Sequence, residues 1–275
     1  MKFKKFLVPI LVMLCVVFFP ATVHADQKRL IALSPNHTYT QYDVTSDGKN
    51  DKLEIAFLPY KKLQFYINGK KVYNSNAKNV FDIDIELCTL SNKKNYIHLK
   101  QITPVNDYLK SDIFLTYKSN RLVTAVNTLS HMKNVGHGRF ECTVNKVTKS
   151  TICTHEQVMF YGIGLIDYCV TYKPSGNKLV PTGNAFPLVY SKSKKNFWTV
   201  ATKLKITCLN HAFISVPPGD NCKIYKIKFD HIVPWSYSPM VYMKFIKYDG
   251  SLYNSCWLSC PSNYTSKYFL ESVYI

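Results

Sequence analysis

Apolar and polar residues alternate with a period of two along much of the chain. The alternation is clearest in Lys52 to Phe57 and in Leu63 to Ile67. Successive side chains of a strand point to opposite faces, so this pattern predicts half-buried β-strands. The dipeptide Asn68-Gly69 follows the second segment and predicts a hairpin turn into a third strand, Lys71 to Tyr73.

Further strands are predicted along the rest of the N-terminal two thirds. Almost no segment carries a sustained apolar stripe of helical period, and 20 Tyr and 16 Phe favour strands over helices. The predicted fold class is therefore all-β. The additional strands are expected near residues 81–87, 96–102, 113–117, 122–127, 138–146, 150–153 and 158–172.

A change of composition between Lys178 and Trp198 predicts a boundary between two β units. The segment NKLVPTGNAFPLVYSKSKKNFW combines two prolines, polar turns and a lysine cluster, which is typical of a linker or a long crossover. Five short strands are predicted beyond it, as in a small barrel. The expected organisation is an N-terminal β domain of residues 26–180, a linker of residues 181–198 and a barrel of residues 199–275.

Residues 1–25 have the features of a cleaved secretory signal. Three lysines within the first five residues precede the apolar run FLVPILVMLCVVFF, and Val23-His24-Ala25 offers the small-residue pattern of a cleavage site. The alternative is a membrane anchor, but the apolar run is shorter than the ~20 residues that a spanning helix needs. The sequence therefore predicts an exported protein, either extracellular or associated with the cell envelope.

Basic residues outnumber acidic residues by 35 to 17, which gives a formal net charge of +18. The lysines occur as pairs spread along the chain, and arginines are few. Base recognition favours arginine and a clustered footprint, so no specific nucleic-acid binding is predicted. On an exported protein, such a surface mainly favours solubility, with contact to anionic envelope polymers as a second role.

Eight cysteines follow the signal segment, and an even number in an oxidising compartment permits disulfides. Oxidation is therefore predicted to matter to the fold, with buried free thiols as the alternative. The sequence does not select a pairing. Neither Cys153-x-His155 nor Cys256-x-x-x-Cys260 has the paired short spacing of a structural zinc module.

A search for catalytic groups favours a protein that is not an enzyme. Carboxylates are sparse, and those between Asp82 and Glu86 alternate along one strand face, where exposure to solvent is the ordinary explanation. Cys153 with His155, or Cys222 with His211, would be needed for a secreted cysteine-dependent hydrolase, which is the alternative function. Neither pair has a helix start or glycine-rich turn to activate the thiolate.

The segment DVTSDGKND, Asp43 to Asp51, places an aspartate at every fourth position. Gly48 permits a sharp bend, so alternate oxygens can point toward one calcium ion. Such an ion would have a structural role. Its binding would be weak, because Thr45 contributes only a neutral hydroxyl. The alternative is a metal-free polar hairpin turn. The predicted calcium ligands are Asp43, Thr45, Asp47, the backbone carbonyl of Lys49, and Asp51.

Two parts of the chain resemble known extracellular modules. The segment DVTSDGKNDKLEI followed by LQFYINGKKVYN resembles the FG-GAP or VCBS type of calcium-loop repeat, with the pattern D-x-[DN]-x-D-G-x-x-D before a strand. The segments FISVPPGDNCKIYKIKF, YMKFIKYDG and CWLSCPSNYTSKYFLES resemble a bacterial SH3-like domain in which Trp257 closes the barrel. The pairing is similar to exported proteins of gut Firmicutes. It implies a propeller-blade-like or sandwich-like N-terminal domain followed by an SH3-like barrel.

These features predict a noncatalytic extracellular protein that binds a cell-envelope glycan or peptide, or that has a structural role. A lysine-driven polyanion binder is a further alternative. The expected partner is a cell-wall polymer or an extracellular protein. Aromatic residues of the C-terminal part are expected to line a shallow groove, with barrel core as the alternative: Trp235, Tyr237, Tyr242, Tyr253 and Trp257.

Overall fold

The computed structural model describes residues 29–90, 94–104, 109–131, 140–160, 164–189, 198–199, 204–207, 213–216, 221–228, 240–246 and 252–259. These residues form antiparallel strands and one short 3-10 turn, Thr128–His131, which confirms the all-β fold class. The described residues include no candidate membrane-spanning helix. The predicted signal of residues 1–25 lies outside the described residues.

The first nine strands form two sheets. Sheet 1 contains, in chain order, β2 (Thr38–Tyr42), β3 (Asp51–Leu58), β4 (Lys62–Ile67) and β5 (Lys70–Asn76). Sheet 2 contains β1 (Leu30–Leu33), β6 (Asp82–Thr89), β7 (Asn95–Ile102), β8 (Leu109–Lys118) and β9 (Arg121–Asn127). These strands are hydrogen-bonded in the order β1-β6-β7-β8-β9, so β1, from the start of the described chain, is an edge strand.

A hydrophobic core fills the space between sheets 1 and 2. Leu53 and Ile55 of β3 and Phe65 of β4 are at most 1% exposed, and they belong to one cluster with Ile85 and Leu99 of sheet 2. Burial of each such side chain contributes about 1.5 to 3 kcal/mol. The alternating residues that predicted these strands therefore form the contact between the two sheets.

The predicted turn at Asn68-Gly69 is confirmed, and the Asn68 side chain also holds the first residues of β3. The φ angles of Asn68 and Gly69 are 51° and 77°. Positive φ at both central residues gives the turn a twist that matches that of the hairpin. The Asn68 side chain accepts a hydrogen bond from the Lys52 backbone N–H and donates one to Asp51 Oδ1, each at 2.8 Å. The turn thus also fixes the start of β3.

Sheet 3 covers the opposite face of sheet 2. It contains β10 (Phe140–Val147), β11 (Ile152–Phe160), β12 (Gly164–Ser175) and β13 (Lys178–Pro181) in chain order. The rings of Phe114 in β8 and Tyr172 in β12 lie 6.3 Å apart, and β13 contacts β9. In β7 the run Asn95 to Leu99 is buried throughout. Sheet 2 is therefore the middle layer of three.

The remaining strands form a fourth sheet and a separate hairpin. The fourth sheet has the order β14-β18-β19-β20, with β15 also paired to β18, and β16 pairs with β17 in the hairpin. The strands are β14 (Phe186–Pro187), β15 (Trp198–Thr199), β16 (Leu204–Thr207), β17 (Phe213–Val216), β18 (Asn221–Lys228), β19 (Met240–Ile246) and β20 (Leu252–Ser259).

The segment predicted as a linker contains residues that pair with strands before it and with a strand after it in the chain. Pro181 belongs to β13 in sheet 3, whereas Phe186 pairs with Ile227 of β18. Leu188 also forms a bridge with Tyr168 of β12. The division into residues 26–180 and 199–275 stays a prediction, as does the SH3-like form of the second part.

Candidate functional site

Polar and ionisable side chains lie between sheets 2 and 3. On β6 and β7, Glu86 and His98 are direct cross-strand partners, and His98 is in turn opposite Phe114 of β8. Asp112 precedes Phe114 by two positions and so shares its face of the sheet. Sheet 3 supplies the facing residues. We call this group the polar cluster: Glu86, His98, Asp112, Thr128, Cys142 and Glu156.

His98 connects two carboxylates inside the protein. Its Nδ1 lies 3.0 Å from Glu86 Oε2, and its Nε2 lies 3.0 Å from Asp112 Oδ1. Its ring stacks on Phe114 with centroids 4.4 Å apart. Burial lowers the pKa of His98, but hydrogen bonds and charges from Asp112 and Glu86 outweigh burial and raise the pKa to about 9. At neutral pH His98 is therefore an imidazolium that donates a hydrogen bond to each carboxylate.

Asp112 is completely buried, and its Oδ1 accepts hydrogen bonds from His98 and Thr128. Thr128, at the start of the 3-10 turn, donates a hydrogen bond of 2.6 Å from its hydroxyl to Asp112 Oδ1. On β10, the buried Cys142 places its sulfur atom within 4.8 Å of an Asp112 carboxylate oxygen. Burial, together with the charges of Asp112 and Glu156, raises the pKa of Cys142 well above its ordinary value. The thiol therefore stays protonated beside the buried carboxylate.

Glu156 forms the part of the cluster that belongs to sheet 3. It is fully buried, and its Oε1 accepts hydrogen bonds from the Thr154 hydroxyl at 3.0 Å and from the Tyr172 hydroxyl at 2.9 Å. Burial raises the pKa of Glu156 to about 7, although hydrogen bonds from Tyr168, Tyr172 and Thr154 act in the opposite direction. Below that pH, Glu156 is a neutral acid inside the sandwich.

The three side chains of His98, Asp112 and Cys142 raise the question of a metal site. Their potential ligand atoms lie within 4.8 Å of one another, and no other such group occurs in the part of the chain that the structure describes. Metal binding would require His98 Nε2 to lose its proton and the Cys142 thiol to ionise. The neighbouring carboxylates oppose both changes. The geometry therefore fits a hydrogen-bonded ionic cluster better than a metal centre.

The predicted calcium loop is a compact turn that uses its own carboxylates as acceptors. Asp43 accepts hydrogen bonds from the backbone N–H groups of Asp47 at 3.1 Å and of Gly48 at 2.7 Å. Asp47 accepts one from the backbone N–H of Lys49 at 2.8 Å. Gly48 has a φ of 90°, which only glycine adopts readily. These bonds curl the chain around Asp43.

Asp51 closes the other end of the loop. It is buried, and its Oδ2 accepts a hydrogen bond of 2.8 Å from the backbone N–H of Thr45. The loop contacts sheet 2 through Asn95, whose backbone N–H donates to the Ser46 hydroxyl at 3.1 Å and whose amide donates to the Asp43 carbonyl. These contacts are compatible with the polar turn and with a calcium loop. The calcium site therefore stays a prediction.

We expect millimolar calcium to raise the melting temperature of the protein through this loop. Calcium at tenfold above a Kd in the range of about 0.1 to 1 mM would stabilise the fold by roughly 1.4 kcal/mol. Asp47→Ala should abolish the effect, and Thr45→Asp should strengthen it. The control is Asp82→Ala, which removes an exposed aspartate of β6. If calcium leaves both the wild type and Thr45→Asp unchanged, the segment is only a polar turn.

Comparison of the chain with protein-family models, with curated proteins and with solved structures found no match. The likeness to FG-GAP or VCBS repeats and to SH3-like domains therefore remains a resemblance of the segments quoted above.

Three of the five aromatic residues predicted to line a groove lie in described strands. Tyr242 of β19 and Trp257 of β20 are cross-strand partners, and Tyr253 lies at the start of β20. Trp235 and Tyr237 lie outside the described residues. The structure thus brings one pair of the five together in a sheet.

Sequence reasoning missed the polar cluster. It interpreted the carboxylates of Asp82 to Glu86 as one exposed strand face, and it did not select His98. In the structure Asp82 and Asp84 are exposed, but Glu86 is half-buried against His98. One signal was available, because β7 reads NYIHLKQI and has apolar residues at both alternating sets of positions. Such a pattern is typical of a strand covered on both faces.

Proposed function

We propose that the protein is a noncatalytic exported β protein that binds an anionic cell-envelope polymer through the outer face of sheet 1. The observation that carries the proposal is a concentration of exposed lysines on and around that sheet. Amide and aromatic groups between the lysines, together with the buried state of the polar cluster, give further support.

The segment of residues 49–78 is strongly basic at its surface. Its acidic residues are Asp51, which is buried, and Glu54, which is half-buried. Lysines of β3, β4 and β5 lie on the outward face, and the others lie in the adjoining turns and strand ends. A surface of one sign of charge attracts an oppositely charged polymer over several ångströms. The seven exposed lysines are Lys49, Lys52, Lys61, Lys62, Lys70, Lys71 and Lys78.

Hydrogen-bonding groups lie between these lysines. The Tyr66 hydroxyl donates to Gln64 Oε1 at 3.1 Å, and the Gln64 amide donates to Asn74 Oδ1 at 3.0 Å. Tyr66 is opposite Lys71 on the neighbouring strand. These groups are spread across a sheet face, whereas small-molecule sites are concave. An extended polymer is therefore a better match than a compact ligand.

The noncatalytic part of the proposal is supported by the geometry of the polar cluster. A cysteine hydrolase needs an imidazole nitrogen that can accept the thiol proton. Both nitrogens of His98 face carboxylates, and Cys142 is 1% exposed, so this thiol is neither activated nor accessible to a substrate. These observations favour a structural role for the ionisable groups of the polar cluster.

Cosedimentation with a purified anionic cell-wall polymer tests the proposal. We expect Lys62→Glu/Lys71→Glu to weaken binding by about tenfold or more, because it reverses two charges within the basic face. The matched control is Lys146→Glu/Lys149→Glu, which makes the same change in net charge at exposed positions of β10 and the turn after it. The control should lose much less affinity.

A salt series and a neutral glycan complete the experiment. Binding by the wild type should weaken as salt rises from 50 to 200 mM, since screening reduces interactions between exposed charges beyond a Debye length of about 10 Å. The neutral glycan should not bind. Equal losses in the two double variants would show that only net charge matters, and absence of binding to any anionic polymer would refute the proposal.

A further inference from the structure

Two cysteines approach each other on the outward face of sheet 3, on the side away from the polar cluster. Cys153 lies on β11 and Cys169 on β12, and their sulfur atoms are 2.6 Å apart. This is well inside the contact distance of unbonded sulfur atoms, and it approaches the covalent length of about 2.05 Å. Both side chains are partly exposed, whereas Thr154 and Val170, the next residues along each strand, are fully buried.

The strand register explains how the two sulfur atoms meet. Cys153 is opposite Thr171, and Cys169 is opposite His155, so the cysteines are diagonal neighbours two positions apart. Residues with this spacing share one face of an antiparallel pair. The twist of the sheet brings the side chains along one of the two diagonals closer together. The ladder continues without interruption from Ile152 to Phe160. The backbone therefore already holds the pair in place.

We propose that Cys153 and Cys169 form a cross-strand disulfide in the folded protein. Two S–H bonds break and one S–S bond forms, and the two protons pass to the thiols formed from the oxidant. The two electrons reduce a disulfide oxidant, such as glutathione disulfide, to two thiols by exchange through a mixed disulfide. Cys88 and Cys142 are buried, so their thiols do not form disulfides with Cys153 or Cys169 while the protein is folded.

The bond would hold the two strands that bury Glu156. Glu156 on β11 is opposite Tyr168 on β12, and the hydroxyl of Tyr172 also reaches it. A slip of one residue between these strands would turn Glu156 toward the solvent. The disulfide excludes that slip, and it also restricts the unfolded chain by closing a loop. In an oxidising compartment, the disulfide would therefore stabilise the pair of strands that buries Glu156.

Peptide mapping tests the bond directly. The purified mature protein is equilibrated with a glutathione redox buffer, denatured, alkylated and digested with trypsin. Trypsin cuts after Lys149 and, because Pro174 protects Lys173, next after Lys178. Both cysteines therefore stay on one peptide, residues 150–178, which contains no other cysteine.

We expect this peptide to be unalkylated and lighter than its reduced form by two hydrogen atoms. A second cut after Glu156 should give two fragments that separate only after reduction. The peptides that contain Cys88 and Cys142 are internal controls, and they should be alkylated because denaturation exposes their thiols. Full alkylation of peptide 150–178, or its crosslink to a different cysteine, would overturn the proposal.

The effect on stability provides a second readout. Reductant should lower the melting temperature of the wild type by on the order of 5 °C. Cys153→Ala/Cys169→Ala should be insensitive to reductant, whereas Thr171→Ala, a control at a neighbouring outward position, should keep the wild-type dependence. Equal sensitivity of the wild type and the double variant would count against the bond. Neither readout involves a polymer, so the result is independent of the proposed binding function.

Discussion

Replacing Asp112 with alanine should lower the free energy of unfolding by about 3 to 5 kcal/mol, because it removes the fully buried partner of a buried charge. Asp112 is completely buried and accepts hydrogen bonds from His98 and Thr128. Without its carboxylate, the His98 imidazolium keeps only Glu86, which lies near the edge of the cluster. His98 must then either lose its proton or remain charged with half of its partners.

Denaturant unfolding at neutral pH measures this loss, and the same sheet offers a matched control. Asp84 lies in the same cross-strand row as Asp112, and its Oδ2 is 2.8 Å from Lys100 Nζ. The side chain of Asp84 is 52% exposed, so Asp84→Ala should cost at most about 1 kcal/mol. If the two variants lose similar amounts, the cluster does not depend on a buried ion pair.

The hairpins of sheet 1 were predictable because their signals are local. In β3 and β4 the buried residues alternate strictly, and Asn68-Gly69 is a turn signal that acts within a few residues. Each hairpin needs only its own sequence to define both its turn and its buried face. The same reasoning indicated the bend at Gly48, which has the positive φ that a tight loop requires.

The polar cluster could not be predicted in the same way, because it depends on contacts between distant segments. Alternation shows that Glu86 shares a face with Asp84, but it does not show that sheet 3 covers part of that face. The residues that cover it, including Cys142 and Glu156, come from strands far along the chain. Burial then changes the chemistry of His98, whose charge state follows from two carboxylates on neighbouring strands.

The proximity of Cys153 and Cys169 has the same non-local origin. Their approach depends on the register of β11 against β12, and a shift of one residue would place the two thiols on opposite faces. The cysteine count alone left every pairing open. The register of β11 against β12 places these two cysteines together on one face of sheet 3.

The second large effect that we expect is a loss of stability as pH rises through the titration of Glu156. Burial raises the pKa of Glu156 from the ordinary value of 4.5 to about 7. The folded protein therefore keeps a proton that the unfolded chain releases between these values. The stabilisation is complete below about pH 4.5 and is lost by about pH 7, and its size is on the order of 3 kcal/mol.

The titration of His98 extends the loss of folding stability to higher pH. Its pKa is raised from 6.5 to about 9, so the stabilisation from its proton is present below pH 6.5 and is lost as pH rises toward 9. The groups that face these two residues include Glu86, Asp112 and Cys142, from three different strands. The two windows adjoin, which predicts a continuous fall in stability from about pH 4.5 to 9.

Denaturant unfolding across this range separates the two residues through Glu156→Gln. Glutamine resembles the neutral acid and can still accept hydrogen bonds from Thr154 and Tyr172, so the variant should remain folded. We expect its stability to be flat between about pH 4.5 and 6.5 and to fall only in the window of His98. Glu141→Gln, at an exposed position of β10, should follow the wild type. If Glu156→Gln keeps the full slope of the wild type below pH 6.5, then the buried acid is not the group that links proton binding to folding.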